Sequence, residues 1–288
     1  MEYINLKGSV LIPQLGEGVF RMPNDETTVN AVLSAIELGY RHIDTASVYG
    51  NEESVGIGIK KSGIKREEIF LTTKVWNEDV RNNNVRGAFE KSLKLLQTDY
   101  VDLYLIHWPA VGFEKAWKDL EDLYNEGRVR AIGVSNFHLH HMQELLKEAK
   151  IKPFVNQIES HPYFNNNPLI EKMNELGIKV EVWSPLGGSK TTCVRTDLTI
   201  NEIAKKHGKS SSQIILRWDI QRGVIPLVKS THVERLKENL NLFDFSLTED
   251  EMAMINSLDR GMRVGSDPDN FDFWLLVDYP SLIYFVGS

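Results

Sequence analysis

Eight short apolar runs, each parted from the next by a helical stretch, predict a closed (β/α)8 TIM barrel, an α/β fold. Two further observations agree. No linker rich in proline, glycine or serine divides the 288 residues, so a single domain is the simpler reading. Polar, titratable residues also stand directly after several apolar runs, where the strands of such a barrel would end.

Taken in order, the first strand is expected at Gln14–Val19. Val29, Val32, Leu33 and Ile36 recur at helical spacing after an Asp25 cap and before Gly39, which predicts an amphipathic helix. Tyr40–Asp44 then reads as a strand. Ile69–Lys74 is a strand followed by a helix over about Asn84–Leu96, and Val101–His107 a strand followed by Phe113–Tyr124. Val129–Ser135 precedes a helix near Leu139–Ala149, and Phe154–Ile158 one near Leu169–Leu176. Ile178–Trp183 leads into two helical stretches, Asn201–His207 and Ser212–Arg222, before Val224–Lys229. Alternating units of this kind imply parallel strands joined by right-handed crossovers.

Hydrophobic residues make up 42% and charged residues 25%, which excludes a disordered or fibrous chain. The 33 basic and 40 acidic residues leave a net charge of −7, which argues against nucleic acid and anionic membranes as partners. A single cysteine, Cys193, permits no disulfide framework. The start Met1-Glu2-Tyr3 lacks the basic and apolar regions of a secretion signal, and no apolar run is long enough for a membrane helix. A cytoplasmic protein is the expectation.

The predicted strand ends carry Asp44, Lys74, His107, Ser135-Asn136, Glu159 and Ser184. Strand ends meet solvent and are often polar for that reason alone, but an Asp, a Lys and a His together point to an active site. The fingerprint G-x-G-x-x-G is absent; Gly16-Glu17-Gly18 and Gly56-Ile57-Gly58 lack the third glycine. Gly58–Gly63 has phosphate-loop spacing but continues Ile64-Lys65. Any nucleotide must be held by another scaffold. His138, His140 and His141 have no i, i+4 pair and no nearby carboxylate except Glu144, so they read as a solvated helix start and no metal site is expected. Cys193, without a visible base partner, reads as an ordinary surface thiol.

The stretch Gly39–Glu53, containing His42-Ile43-Asp44-Thr45 and Tyr49-Gly50, changes the argument. Together with Thr72-Thr73-Lys74, Leu103–Pro109, Ile132–Phe137, Val155–Glu159 and Trp183–Leu186, it resembles the aldo-keto reductase superfamily. The motifs run in family order from about Leu11 to Asp259. That resemblance implies a (β/α)8 barrel that reduces carbonyls with NADPH. It implies Asp44, Tyr49, Lys74 and His107 as the catalytic four, with His107 and Trp108 lining the substrate pocket. The chemistry requires such residues, because hydride transfer to a carbonyl leaves negative charge on oxygen that must be stabilised and protonated. A free tyrosine is a poor acid at neutral pH, and a nearby ammonium lowers its pKa. Asp44 would hold Lys74, and His107 would orient the carbonyl.

The resemblance also implies cofactor contacts. Ser135, Asn136 and Gln157 match the residues that bond the nicotinamide carboxamide, and Trp183 the aromatic that stacks on its ring. Ser184 and Leu186 match pyrophosphate-loop positions. Lys229, Ser230 and Arg235 match the site of the adenosine 2′-phosphate, and Glu238 and Asn239 match adenosine contacts. Two positive charges there favour NADPH (NADP+) over NADH. The chain departs from the pattern at Val228, where the family usually has proline, with Pro226 two residues earlier. Residues 1–273 form the family-like barrel. The apolar extension 274–288 falls outside the pattern, and can cover the barrel mouth, pack on an outer helix or join two subunits.

Overall the chain resembles the short microbial branch that includes the 2,5-diketo-gluconate reductases and prostaglandin F synthases. The expectation is an NADPH-dependent oxidoreductase reducing small aldehydes or ketones, with Tyr49 as general acid and a monomeric state. The alternatives are an alcohol dehydrogenase running oxidatively and a non-catalytic NADPH-binding regulatory subunit.

Overall fold

The computed structural model describes residues 1–8, 10–188 and 193–271. Its ten strands are β1 (Tyr3–Lys7), β2 (Val10–Pro13), β3 (Gly16–Gly18), β4 (His42–Asp44), β5 (Phe70–Val75), β6 (Val101–Ile106), β7 (Val129–Ser135), β8 (Val155–Glu159), β9 (Lys179–Trp183) and β10 (Ile225–Val228). Strands β3 to β10 pair in chain order, all parallel, and β10 closes on β3 through Leu227 opposite Gly16. The single-domain (β/α)8 barrel expected from the alternating pattern is therefore what forms.

Strand alternation sorts side chains between two layers. On β6, Leu103 and Leu105 join Phe70, Ala131, Val155 and Ile225 in an interior cluster, whereas Tyr104 and Ile106 pack outward with Phe89, Val134 and Phe137. The interior is tight: a Cβ on Gly133 would lie 2.5 Å from Val155 O and 2.7 Å from Leu105 Cδ2. Outside, the helix Glu26–Leu38 is capped as its sequence predicts. Asp25 Oδ1 accepts the Thr27 N–H at 2.7 Å, and Gly39 takes the left-handed conformation at φ 111°.

Several boundaries differ from the periodicity. The first barrel strand shrinks from the expected Gln14–Val19 to Gly16–Gly18, because Gln14 instead ties Ile220 O and Val224 O with its amide at 2.9 and 3.1 Å. Tyr40 stands before β4 and donates its hydroxyl to Leu236 O at 3.0 Å. The helix expected to reach Ala149 ends at Leu146. The pattern also misses the helices Glu52–Lys61 and Glu249–Asn256.

The larger omission is the antiparallel hairpin β1–β2. Its Leu6 and Ile12 pack on Phe70, Leu103, Phe154 and Ile225, at the N-terminal ends of the strands, and so cover that end of the barrel. Among the described residues no helix is long and apolar enough to cross a membrane. The Cys193 side chain and the extension 274–288 lie outside the described residues.

Candidate active site

Lys74 points from β5 into the barrel and is fully buried. An ammonium there needs compensating partners. It donates to Asp44 Oδ1 at 2.7 Å and to Thr45 O at 2.8 Å. Burial pulls its pKa down, but Asp44, Tyr49 and Glu181 outweigh burial and the net shift is upward. Lys74 is therefore a fixed positive charge. The neighbouring strand supplies its counter-charge because β4 and β5 pair with Asp44 opposite Thr72.

Tyr49 follows β4 in a short 3-10 turn, Ser47–Tyr49, which Ser47 ties to Lys74 O at 3.0 Å. Gly50 closes that turn at φ 67°, a left-handed position suited to glycine. The Tyr49 ring is 5.1 Å from Lys74 Nζ, 5.6 Å from the His107 ring and 4.9 Å from that of Phe20. The expected lowering of its pKa is not the net result. Desolvation raises it above the ordinary value, and the Lys74 charge limits that rise. A phenol held protonated suits a proton donor.

His107 is held from both sides of its backbone. Its N–H donates to Val75 O at 3.2 Å, and its carbonyl accepts from Asn136 Nδ2 at 3.0 Å. Burial first and Lys74 second push its pKa well below the ordinary histidine value, so the ring is neutral. Trp76 packs edge-on against it at 5.2 Å. Among the described residues buried His107 Nδ1 has no hydrogen-bond partner, the kind of orphan a bound molecule relieves. The fold thus brings Asp44, Tyr49, Lys74 and His107 together at the C-terminal mouth.

Ser135, Asn136, Gln157 and Trp183 also gather there, since β7 pairs Ser135 with Gln157 and β8 pairs Glu159 with Trp183. Ser135 Oγ donates to Gln157 O at 3.0 Å, and Trp183 Nε1 to Asn136 Oδ1 at 2.9 Å. Gln157 Nε2 reaches Asp44 Oδ2 at 2.9 Å and Glu181 Oε2 at 2.8 Å. Asn136 and Ser184 hold positive φ of 64° and 52°, the strain that accompanies functional turns. Ser184 O accepts from Gly187 N at 2.8 Å, while Leu186 packs against core side chains.

Around the second candidate region, Ser230 is buried with its N–H on Glu17 Oε1 at 3.0 Å. Lys229 Nζ reaches Arg21 O at 3.4 Å, and desolvation first and the Arg21 charge second pull its pKa down. Crowded cations of this kind fit an anionic ligand. Arg235 is exposed and has no ion pair among the described residues. Glu238 accepts from Ser210 Oγ, and Asn239 is buried.

Sequence reasoning missed five contributors. Phe20 and Trp76 join Trp108 as aromatic walls of the mouth, and Phe271 lies 5.0 Å from the Trp108 ring. Glu181 sits behind Asp44, where burial and then the Asp44 charge push its pKa up to about 8. Glu159, noted only as a strand end, accepts backbone N–H groups from Val264 at 2.5 Å and Gly265 at 3.2 Å. It thereby draws the segment 260–271 across the mouth. Periodicity cannot reveal such contacts, because the partners are far apart in the chain.

The comparisons agree with this geometry. Residues 14–260 match the family model described as "Aldo/keto reductase family". The chain is 51% identical to the 9,11-endoperoxide prostaglandin H2 reductase of Trypanosoma cruzi, covering 93% of this chain and 95% of that one. It is 48% identical to the glyoxal reductase of Bacillus subtilis, covering 94% and 97%. Among solved structures, an aldo-keto reductase from a Medee basin deep-sea metagenome library superposes with a TM-score of 0.89 at 44% identity, covering 91% and 97%. A Bombyx mori aldo-keto reductase in complex with NADP superposes at 0.87 with 38% identity, covering 96% and 97%. This chain is an oxidoreductase that belongs to the aldo/keto reductase family.

Proposed function

We propose that the protein reduces small aldehydes and ketones to alcohols with NADPH, using Tyr49 as the general acid. The observation that carries this reading is the buried Lys74 ammonium, 2.7 Å from Asp44 Oδ1 and 5.1 Å from the Tyr49 ring. NADPH, when bound, would supply the hydride. Ser135, Asn136, Gln157 and Trp183 would hold its nicotinamide end. The backbone around Ser184 and Leu186 would meet the pyrophosphate, and Lys229, Ser230, Arg235, Glu238 and Asn239 the adenosine phosphate end.

At the carbonyl, Tyr49 gives its phenolic proton to the oxygen that becomes the alcohol. Lys74 then neutralises the phenolate, and Asp44 keeps the ammonium in place. Neutral His107 can orient the carbonyl oxygen by a hydrogen bond without competing for the proton. Phe20, Trp76 and Trp108 exclude water around the reacting atoms and favour flat or aromatic carbonyl compounds. Glyoxals, aromatic aldehydes and keto-sugars are the substrates to test first.

The test is oxidation of NADPH by these compounds, beside NADH, in the parent and in Tyr49→Phe. Turnover lost in the variant, with NADPH still quenching tryptophan emission, is the expected result. Binding without turnover in the parent would overturn the catalytic reading in favour of a non-catalytic subunit.

A further inference from the structure

Three of the eight histidines, His138, His140 and His141, cluster where β7 passes into the helix Leu139–Leu146. Glu144, the carboxylate nearest them in sequence, pairs with Lys147 instead. The fold brings in Asp269 from the far end of the chain. Asp269 Oδ1 is 3.1 Å from His140 Nε2 and 3.5 Å from His141 Nε2, and the two ring nitrogens are 3.1 Å apart. Three donor atoms thus form a nearly equilateral triangle.

Its dimensions match one chemistry. Ligands about 2.0–2.2 Å from a single ion lie roughly 3.0–3.5 Å apart when they meet at angles between octahedral and tetrahedral values. Two imidazoles and one carboxylate select transition metals over calcium or magnesium. The cluster is open on one side: His141 is 15% exposed and His140 is 61% exposed, so solvent can complete the coordination.

His138 has a different part. Arg263 Nη2 donates to its Nε2 at 2.9 Å, which leaves the ring proton on Nδ1. That proton faces Asp269 Oδ2 at 2.9 Å. A hydrogen bond to the free oxygen of a ligating carboxylate orients the other oxygen toward the metal. Asp269 is further fixed by its own N–H on Asp267 Oδ1 at 3.1 Å.

We propose that His140 Nε2, His141 Nε2 and Asp269 Oδ1 form a binding site for a divalent transition-metal ion such as zinc, with His138 as the positioning residue for Asp269. Ligation through His141 Nε2 moves its proton to Nδ1, and so gives up the bond that Nδ1 accepts from His138 N at 3.2 Å. The ion would join the segment 260–271 to the helix just beyond Asn136. Phe271 in that segment touches Trp108, so occupancy would set how firmly the mouth's aromatic wall is held.

The experiment is equilibrium dialysis of the untagged full chain against zinc, with cobalt as a spectroscopic stand-in. The expected result is one ion per chain and a cobalt spectrum of nitrogen and oxygen ligands. His140→Ala and Asp269→Asn should each weaken binding by more than tenfold, and His138→Gln by roughly ten- to a hundredfold. Zinc should also raise the melting temperature of the parent but not of His140→Ala. Failure of the parent to bind one equivalent, unchanged affinity in His140→Ala and Asp269→Asn, or a thiolate band in the cobalt spectrum would each overturn the proposal.

Discussion

Lys74→Met tests the site most severely, because it removes the charged nitrogen and keeps an unbranched side chain only one atom shorter. Two magnitudes follow from the geometry. The first concerns folding: Asp44, buried and 2.7 Å from the ammonium, is left without its partner. Removing one member of a buried ion pair costs about 3–5 kcal/mol. The second concerns the reaction. A unit charge 5.1 Å from the Tyr49 ring contributes about 3 kcal/mol to a developing phenolate at an effective dielectric near 20. That is roughly a two-hundredfold loss in kcat, with substrate KM little changed. The assay is steady-state NADPH oxidation, with the melting temperature measured on the same preparations. Lys74→Met/Asp44→Asn separates the two effects, since neutralising both partners should recover stability but not turnover. A folded Lys74→Met enzyme within about tenfold of the parent kcat would refute the electrostatic account of Tyr49.

Other outcomes follow from separate contacts. Replacing Lys229 and Arg235 together by Ala should lower the preference for NADPH over NADH by roughly ten- to a hundredfold, the worth of charge-assisted bonds to a phosphate; an unchanged ratio would move the phosphate site elsewhere. Glu181, raised from 4.5 to about 8, keeps a proton in the folded state that the unfolded chain has already released across that range, so its contribution to stability falls as pH rises. His42, lowered from 6.5 to about 3 by burial first and Lys74 second, acts in the opposite direction below pH 6.5. From pH 6.5 to 8 the His42 contribution is past, and Glu181→Gln should flatten the decline of melting temperature that the buried Glu17 also drives; an identical slope in parent and variant would remove Glu181 as its cause. Gly265→Ala would place a Cβ 2.3 Å from Trp183 Cη2, which should cost about 1–3 kcal/mol and shift tryptophan emission. Unaltered melting and emission would show that the segment does not rest on that ring.

The barrel was legible because each strand is a short apolar run and each helix buries a periodic face, both properties of neighbouring residues. The strand-end rule alone located Asp44, Lys74, His107, Ser135 and Asn136, without reference to any relative. The family motifs added Tyr49 and Trp183, which no periodicity singles out. What escaped was set by contacts between distant residues. Leu6 and Ile12 alternate like any hairpin, but only their packing on Leu103 and Ile225 shows what they cover. Asp269 stands 131 residues from His138, and Glu159 105 from Val264. Tyr49 illustrates a limit of sign rather than place: the ammonium was foreseen, but the opposing desolvation was not, because burial is a property of the assembled mouth.

The hairpin β1–β2 makes the barrel a vessel with one door. With Leu6 and Ile12 packed against Phe70, Leu103, Leu105 and Ile225, the described residues fill the barrel below Lys74 and cover its N-terminal end. On the proposed function both reactants would pass the same rim of Phe20, Trp76 and Trp108, and the one meant for Asn136 and Gln157 would have to be seated before the one meant for Tyr49. A molecule so seated is boxed in by its successor. The sequence of arrivals and departures becomes a matter of queueing, last in and first out, and product-inhibition patterns read that queue directly. Random order in those patterns would mean that the closed floor does not govern traffic through the mouth.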